Sequence, residues 1–362
     1  MKALIVLATS TGGIGTHVAS LVQRLPALGV DVAVMSPTVT DEQFDFRARG
    51  AHFIPVEIAT QPRLADVAVV RALRAAIADA DVVHAHGLRA TALTALALGR
   101  RRRGRTPLVA TWHNAVLGPG PRRVVLAALE RLSARRADVT LGASADLVDR
   151  AARLGAPAAR LSPVAAPAMP PPTRDPVAVR AELGADHRPV VLAVGRLAPQ
   201  KDYDTLLGAA VDWQARSPRP LVVVAGDGPE RDRLQHSIDT RGLDVRLLGH
   251  RDDVPDLLAA SDVYVLTSSW EARAMVVQEA MRAGVPVVAT AVGGVPELAA
   301  GAAVLVPPAD PAAVARAVAD LLDDDHRRTA LARRGRDRAA GWPDEDDTAR
   351  DVAAVYDLVV RG

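Results

Sequence analysis

Short apolar runs alternate with longer segments of helical periodicity through the first half of the chain. Runs such as KALIVLAT, DVAVMSP and DVVHAHG predict strands that are buried on both faces. Between them, THVASLVQRLPALG and ADVAVVRALRAAIADA place apolar residues three and four positions apart, the spacing of a helix that buries one side. Strands separated by helices of this length indicate a parallel sheet covered on both faces.

The pattern stops at a proline-rich segment and then begins again. Residues 163–176 contain six prolines in fourteen positions, which neither a helix interior nor a central strand accommodates. We therefore interpret 1–165 as a first α/β domain and 166–176 as a linker. The alternation resumes with RPVVLAVG and predicts a second α/β domain over 177–340, and an amphipathic helical pattern occupies 341–362.

The chain is long enough for two ordinary domains. Its 362 residues, 49% of them hydrophobic, can fill two separate cores. Ligands of doubly wound sheets bind beyond the carboxyl ends of the strands. The expected fold class is therefore α/β, with two Rossmann-like doubly wound parallel-sheet domains that face a central cleft.

Charge and composition exclude several function classes. The formal net charge of +2 is too small to indicate a nucleic-acid partner, and an aromatic content of 3% argues against stacking on single strands. The absence of cysteine excludes disulfides and thiolate metal sites. Apolar runs stay well below the roughly eighteen residues of a membrane span. The first of them is read as a strand rather than as a secretory signal.

Arginines are concentrated in one part of the first domain. The segment GRRRRGR at 99–105 is followed by Arg122, Arg123, Arg131, Arg135 and Arg136. One interpretation is a solvated face. The other is a basic surface that contacts anionic lipid or an anionic acceptor, in a cytoplasmic protein at the inner face of the membrane.

Lysine occurs at only two positions, Lys2 and Lys201, in a chain that uses arginine almost everywhere else. A lysine that only needed to be solvated should have drifted to arginine in such a chain. Position 201 is therefore expected to require a compact ammonium group rather than a planar guanidinium.

Two glutamates eight positions apart carry the clearest functional signal. Glu271 precedes the helical pattern MVVQEAMRAG, and Glu279 lies within it. A helix N-terminus presents unpaired N–H groups and partial positive charge, a natural seat for phosphate. A carboxylate beside such a seat accepts hydrogen bonds from the hydroxyls of sugars and riboses. Diphosphate and sugar together indicate a nucleotide-sugar site.

This segment resembles the E-x7-E signature of the family-4 retaining glycosyltransferases, which have the two-domain GT-B fold. The segments VLAVGRLAPQKDYDTLLGAA, VVVAGDGPERDRL and LLGHRDDVPDLLAASDVYVLTSS resemble the family's preceding elements in the same order. The first domain matches more loosely, through GGIGTHVASL, DVVHAHG and ATWHN. In this family a terminal helix crosses back to the first domain, a position that 341–362 could take.

The resemblance implies a role for each matching residue. Arg196 and Lys201 would neutralise the donor diphosphate, whose departure needs charge stabilisation. Glu271 would contact the transferred sugar near its anomeric carbon, and Glu279 would bind the ribose. His113 would line the donor-sugar site, and with Glu271, Arg196 and Lys201 it is expected to be catalytic. The other donor-binding residues would be Gly12, Gly13, His250, Arg251, Arg273, Ala274 and Met275.

Between the two glutamates the chain departs from the family pattern. Relatives carry Gly-Phe-Gly after the first glutamate, where this chain has Ala272, Arg273 and Ala274. Glycines let backbone N–H groups close on the sugar and phosphates, whereas alanine permits this only at negative φ. Arg273 either pairs with an anionic donor or acceptor or points to solvent.

Histidines lie beside several predicted strand ends. His17 in the first helix is expected either to meet the acceptor or to be a buried polar cap, and His86 is the second acceptor candidate. His84 and His86 are expected to face opposite sides of their strand, so that they would not share a metal. A metal site is not expected, because GT-B enzymes use protein cations and helix dipoles instead.

The resemblance implies a retaining, metal-independent glycosyltransferase of the hexosyltransferase type. It would move a sugar from an NDP-sugar, in the first place a UDP-sugar, to a hydroxyl of a glycan, a lipid-linked or a small-molecule acceptor in cell-envelope or glycan assembly. Neither a cofactor nor a nucleic-acid partner is expected. The alternatives are a GT-B sugar-nucleotide epimerase and an idle homologue that binds a nucleotide sugar without catalysis.

Overall fold

The chain forms two compact units. The computed structural model describes residues 1–10, 12–59, 63–116 and 121–362, and the side chains at 121 and 122, including that of Arg122, lie outside this description. Unit 1 comprises Met1–Pro167 together with Pro343–Gly362, and unit 2 is Ala168–Trp342. Each unit has its own parallel sheet.

Unit 1 contains a sheet of seven strands in the order β3-β2-β1-β4-β5-β6-β7. The strands are β1 (Lys2–Leu7), β2 (Asp31–Ser36), β3 (His52–Pro55), β4 (Val82–His86), β5 (Leu108–Trp112), β6 (Val139–Gly142) and β7 (Ala159–Leu161). The helices before the linker are α1 (Gly13–Arg24), α2 (Thr38–Phe44), α3 (Asp66–Ile77), α4 (Gly87–Leu98), α5 (Pro121–Arg136) and α6 (Ala145–Arg153).

Unit 2 contains a sheet of six strands in the order β10-β9-β8-β11-β12-β13. The strands are β8 (Val190–Val194), β9 (Leu221–Ala225), β10 (Val245–Gly249), β11 (Val263–Leu266), β12 (Val287–Thr290) and β13 (Val304–Val306). The helices are α7 (Pro176–Glu182), α8 (Tyr203–Trp213), α9 (Arg231–Arg241), α10 (Val254–Ala259), α11 (Met275–Ala283), α12 (Val295–Ala299), α13 (Pro311–Asp323) and α14 (Asp325–Ala340).

Both sheets are doubly wound, and each has one point where the strand order changes direction. In unit 1 this point lies between β1 and β4, where Ile5 is paired with His84. In unit 2 it lies between β8 and β11, where Val191 is paired with Val263. The loops after such neighbouring strands diverge to opposite faces of the sheet, which leaves a crevice for a ligand at their carboxyl ends.

The last helix, α15 (Glu345–Arg361), belongs to unit 1. It begins with a capping box in which the side chains of Asp344 and Asp347 each accept from the other's backbone N–H. Arg24 of α1 donates to Glu345 at 3.0 Å and to Asp346 at 2.7 Å. The apolar side of α15, with the fully buried Tyr356, packs into the core that also contains β1 and α1. The second unit therefore interrupts the chain of the first.

Local turn chemistry changes some of the elements that the pattern predicts. The pattern LRATALTALALGRRRR predicts a helix that runs into the arginine cluster, but the helix ends at Leu98, because Gly99 adopts a φ of 73° and turns the chain. The first helix gives way at Leu25 to a short 3-10 helix with Pro26 in its first turn. Helix α2 and strand β7 are too short for a periodicity to reveal them.

The arginine cluster is partly neutralised within unit 1. Arg101 and Arg105 both form ion pairs with Asp138, and Arg136 donates to the carbonyl of Gly99 at 2.7 Å. Among the helices that the structure describes, none combines the length and the apolar composition needed to cross a membrane.

Candidate functional site

The signature residues of unit 2 meet where its strand order reverses. Lys201 follows β8 within a short 3-10 helix, Pro199–Lys201, and Glu271 follows β11. Lys201 Nζ donates to Glu271 Oε1 at 2.6 Å, although the two residues lie seventy positions apart in the chain. Ser268 Oγ donates to the same oxygen at 2.7 Å. The crevice therefore contains a fixed ammonium–carboxylate pair.

Backbone contacts hold the two loops against each other. The Gln200 side chain donates to the Trp270 carbonyl at 2.8 Å, and the Ser269 N–H donates to the Gln200 carbonyl at 2.8 Å. Thr267 Oγ1 donates to the carbonyl of Lys201 at 3.0 Å. Because these bonds lie on both sides of the ion pair, its geometry is set before any ligand arrives.

Two glycines allow neighbouring loops to approach the pair. A Cβ on Gly293 would lie 1.9 Å from the carbonyl oxygen of Glu271, to which the Gly294 N–H donates at 2.9 Å. A Cβ on Gly226 would lie 2.0 Å from the carbonyl oxygen of Gly195, just before Arg196. Only glycine fits at either position without displacing a loop of the site.

Helix α11 begins four residues after Glu271. Ala274 is its N-cap residue and Met275 its first residue, and no side chain of the described part of the structure caps it. Its first N–H groups are thus available to an anion. Glu279 lies one turn further on, half-buried, and burial raises the pKa of its carboxyl group. Burial has removed part of the water that would hydrate this carboxylate, so hydrogen bonds from the hydroxyls of a ligand would stabilise its charged form.

Arg273 lies between these features, neither fully exposed nor ion-paired at short range among the described residues. Its guanidinium lies 5.8 Å from the ring centroid of Trp342, and its Nε is buried without a hydrogen-bond partner in the described part of the chain. Burial lowers the pKa of Arg273 to about 10, and Glu297 opposes that shift. Of the two alternatives for Arg273, the one in which it simply points to solvent is wrong, because its side chain packs on Trp342.

The remaining donor candidates of unit 2 have different surroundings. Arg196 is exposed and forms no ion pair with the residues that the structure describes, so its charge is available. His250 is exposed and contacts Asp252 at 3.1 Å. Arg251 is held by Asp253 at 2.7 Å and by Glu182 at 3.5 Å, so its charge is already compensated.

Unit 1 brings three histidines together at its own reversal point. His17 lies in the second turn of α1, His86 ends β4, and His113 directly follows β5. His86 Nδ1 lies 3.1 Å from His113 Nε2, and all three rings are buried. The three ring centroids are 5.4–5.5 Å apart. Gly12 and Gly13, at the start of α1, are exposed at the same edge of the sheet.

The expectation that His84 and His86 face opposite sides of their strand is wrong. Residues two positions apart on a strand point to the same face, and the two rings lie 4.1 Å apart. His84 contacts Tyr356 Oη at 2.7 Å and Thr111 Oγ1 at 2.6 Å, so both of its nitrogens have partners. It is a buried structural histidine, whereas His86 continues toward the sheet edge.

Sequence reasoning missed Ser268, Gln200 and Gly293. Ser268 lies three residues before Glu271, in the loop where the E-x7-E signature begins. Nothing in this spacing indicates that its hydroxyl bonds to Glu271. Gln200 sits beside Lys201, and its role depends on a carbonyl seventy residues away. For Gly293 the doublet in AVGGVPEL was the available signal, because adjacent glycines after a strand often mark a close backbone approach.

Two protein families match the chain, one in each unit. The family described as "Glycosyl transferases group 1" matches residues 178–338. The family described as "Glycosyl transferase 4-like domain" matches residues 12–167. Together the two matched segments occupy most of unit 2 and most of unit 1, and each contains the site residues of its unit.

Curated relatives extend the likeness. The D-inositol 3-phosphate glycosyltransferase of Salinispora tropica is 30% identical over 401 aligned positions, which cover 95% of this chain and 80% of that protein. The 2-deoxystreptamine N-acetyl-D-glucosaminyltransferase of Streptomyces fradiae is 38% identical over 156 residues, 40% of this chain. The chain spans 37% of the length of that relative. The protein belongs to the family-4 glycosyltransferases.

A solved structure shows the same fold over the whole chain. Anabaena HepE, in a crystal structure described as a complex with UDP-glucose, superposes with a TM-score of 0.81 at 24% identity. The superposition covers 99% of this chain and 100% of that chain. The fold is therefore GT-B, and the comparisons support glycosyltransferase function.

Proposed function

We propose that the protein is a retaining, metal-independent glycosyltransferase that takes a hexose from an NDP-sugar, in the first place a UDP-sugar. The observation that carries the proposal is the ion pair of Lys201 and Glu271 at the β8–β11 reversal point, beside the exposed Arg196. The HepE structure with UDP-glucose, which has the same fold, is compatible with a uridine donor.

The diphosphate of the donor is assigned to three sources of positive charge. Arg196 offers an uncompensated guanidinium, and Lys201 an ammonium that Glu271 holds in place. The uncapped start of α11, at Ala274 and Met275, offers backbone N–H groups. As the bond to the sugar breaks, negative charge grows on the leaving diphosphate, and fixed cations stabilise that charge without reorganising. In this proposal they supply the charge stabilisation that a metal supplies in other transferases.

The two glutamates are assigned to hydroxyl groups. Both side-chain hydrogen bonds to Glu271 end on Oε1, and the proposal gives Oε2 to a hydroxyl of the transferred sugar. Glu279 is assigned to the ribose hydroxyls, because its half-buried carboxylate lies one turn into α11. His250, Arg251, Arg273, Gly12, Gly13 and His113 keep, as predictions, the donor-side roles that the family resemblance gives them.

Retention is proposed to need no protein nucleophile. The acceptor hydroxyl attacks the anomeric carbon from the face that the diphosphate leaves, so the configuration is kept. The bond between the carbon and the diphosphate oxygen breaks, and the acceptor proton passes to a phosphate oxygen of the leaving group. Lys201 pairs with Glu271 through one of the three N–H groups of its ammonium, which leaves the others for the diphosphate and keeps Glu271 as a charged hydrogen-bond acceptor rather than a free nucleophile.

The acceptor is proposed to be a hydroxyl of a glycan, a lipid-linked or a small-molecule substrate in cell-envelope or glycan assembly, with His17 and His86 as contacts. Arg123 and Arg131 on α5 are exposed and support an anionic acceptor or an anionic lipid surface. Arg101 and Arg105 contribute less to such a surface, because Asp138 neutralises part of their charge.

Donor turnover tests the proposal. The protein is incubated with UDP-, GDP- and ADP-sugars, with and without EDTA, and proton NMR follows the anomeric signals. We expect slow hydrolysis of one donor that releases first the anomer with the donor's configuration, unchanged by EDTA. Conversion of the donor into an epimeric sugar nucleotide would favour an epimerase instead. A folded protein that alters none of these donors, even with a panel of acceptors, would contradict the proposal.

A further inference from the structure

The three histidines of unit 1, His17, His86 and His113, form a compact cluster of ring nitrogens. The proposed transfer reaction uses them as separate contacts and does not require that they be clustered. One ring nitrogen from each of His17, His86 and His113 lies within 4.8 Å of the other two. The residues come from α1, β4 and the loop after β5, so the sheet and its first helix fix their relative positions. His86 and His113 already present nitrogens 3.1 Å apart.

The chemical state of the rings suits ligation. Burial lowers the pKa of His17 to about 4 and holds the pKa of His86 and His113 well below the usual range. All three imidazoles are therefore neutral at pH 7. The only proton that a metal would have to displace is the one in the hydrogen bond between His86 and His113. In the described part of the chain, no carboxylate, lysine or arginine side chain bonds to these rings.

We propose that His17, His86 and His113 form a binding site for a transition-metal ion with a preference for imidazole, such as Zn²⁺, Co²⁺ or Ni²⁺. Two imidazole nitrogens at about 2.0–2.1 Å from a tetrahedral Zn²⁺ are roughly 3.3–3.4 Å apart. The His86–His113 pair has nearly this separation already. His17 completes the three-histidine set, and the fourth position stays open to water or a ligand hydroxyl.

The same geometry limits the strength of the site. Metal-bound histidines usually donate their second N–H to a carboxylate, a carbonyl or water. His86 Nε2 is buried and has no partner among the described residues. Metal binding through His86 Nδ1 also displaces the shared hydrogen, which moves to the other nitrogen of one of the two rings. We expect reversible binding that is weaker than that of structural zinc sites.

Occupancy of this site has a functional consequence, which rests on the proposed function. His17 and His86 are the acceptor candidates and His113 the donor-sugar candidate, and a bound metal would occupy the nitrogens that those contacts need. The reaction would thus need no metal and yet be inhibited by one. Added Zn²⁺ should lower turnover, and EDTA should restore it without raising the activity of metal-free enzyme.

The test measures binding directly and needs no donor. Protein without a histidine tag is titrated with Co²⁺, followed by visible absorption, and with Zn²⁺, followed by calorimetry. We expect one equivalent to bind with the absorption of a four- or five-coordinate nitrogen site. His17→Gln, His86→Gln and His113→Gln should each abolish it, with circular dichroism confirming the fold. Any glutamine variant that does not fold is replaced by the asparagine variant.

The matched control is His326→Gln, because His326 is an exposed histidine at the start of α14 in unit 2. It should bind Co²⁺ as the unaltered protein does. Absence of one-equivalent binding, or binding that persists in all three unit 1 variants, would overturn the proposal. A metal that binds without affecting turnover would overturn only its inhibitory consequence. Because binding is read without substrate, failure of the donor assignment would leave this result intact.

Discussion

At the scale of single residues, Lys201 is where composition and geometry agree most closely. It is one of two lysines in a chain rich in arginine. In the structure its Nζ contacts Glu271, and a Cβ on Gly195 would lie 3.1 Å from its Cε, so the space around the stem is narrow. A guanidinium is larger than an ammonium and donates from a plane, which this pocket is not shaped to receive.

We therefore expect Lys201→Ala to lower kcat/KM by about 10²- to 10³-fold, the usual loss when one fixed donor to a developing negative charge is removed. Lys201→Arg should recover little of the activity, because the longer, planar group cannot reproduce the contact with Glu271. The matched control is Lys2→Ala, at the exposed start of β1, which should keep full activity. Full activity of Lys201→Arg would show that charge alone is sufficient.

Gly293 offers a second test, of position rather than charge. It has a φ of 52°, and an added Cβ would collide with the carbonyl of Glu271. We expect Gly293→Ala to weaken donor binding by displacing Glu271. Gly242→Ala is the matched control, because Gly242 has a φ of 58° and open space around it. Both variants should lose about 1–2 kcal/mol of stability from the left-handed backbone.

Calorimetry with the donor separates the two glycine variants. Equal donor affinity in Gly293→Ala and Gly242→Ala would show that the contact between Gly293 and Glu271 does not position the site.

Residue patterns predicted part of this site. The spacing of Glu271 and Glu279 and the scarcity of lysine are properties of the sequence. The scarcity singled out Lys201 and the spacing Glu271, and these two side chains form an ion pair in the structure. Glu279 lies in the helix that follows Glu271. Ser268 and Gly293 depend on which loops come together, which no spacing reveals. The error over His84 and His86 came from misapplying the alternation rule, under which side chains two positions apart share a face.

At the scale of elements, the prediction succeeded where the periodicity was long. The alternation of buried strands and amphipathic helices gave the two parallel sheets, because strands covered on both faces have an unmistakable apolar composition. It did not give α2 or β7, whose few residues carry no period. The predicted helix LRATALTALALGRRRR extends beyond the observed end of α4 at Leu98. The glycine that ends this helix lies before a run of arginines, which are themselves good helix formers.

Helix α15 makes an element-level prediction through its buried tyrosine. Tyr356 Oη lies 2.7 Å from His84 Nδ1, and both groups are fully buried. Tyr356→Phe should lower the free energy of unfolding of unit 1 by about 1–3 kcal/mol, the cost of an unsatisfied buried polar group. Hydrogen exchange of the β1 and β4 amides measures this loss. Tyr264→Phe, whose hydroxyl makes a longer 3.3 Å bond in unit 2, should leave those amides unchanged.

Unchanged protection of β1 and β4 in Tyr356→Phe would show that the bond to His84 does not contribute to holding α15 on unit 1.

At the scale of the whole molecule, the division of the chain followed from the proline-rich segment and the restart of the pattern. The structure divides the chain at Pro167 and again after Trp342. At the second position the residues alone showed an amphipathic tail, and the expectation that 341–362 returns to the first domain came from the family resemblance, since the partner of an apolar helix face cannot be read from the helix alone. The capping box at Asp344 was visible in the residues, but its place on unit 1 depends on the core around Tyr356.

The buried histidines also make the two units differ in their response to acid. Burial lowers the pKa of His17 to about 4 and of His84 to about 3, from a usual 6.5. The unfolded chain binds protons near pH 6.5, whereas the folded rings do not, so the stability of unit 1 falls as the pH decreases from about 6.5 toward 4. At higher pH the penalty disappears.

Hydrogen exchange at pH 7.5 and 5.5, corrected for the intrinsic exchange rate, tests this difference. Protection of β4 and β5 in unit 1 should fall at pH 5.5, while that of β8 and β9 in unit 2 should change less. Equal losses in both units would contradict the assignment of the acid response to these histidines.

The central claim is that unit 2 holds a nucleotide sugar through Lys201 and Glu279. Isothermal titration of UDP-, GDP- and ADP-sugars tests it most directly, with Lys201→Ala and Glu279→Ala beside the unaltered protein and Lys2→Ala as the control. The account predicts binding of one nucleotide class, kept in Lys2→Ala and weakened at least about tenfold, or about 1.4 kcal/mol, in each of the other variants. No binding of any donor by a folded protein, or equal affinity in all four proteins, would contradict it.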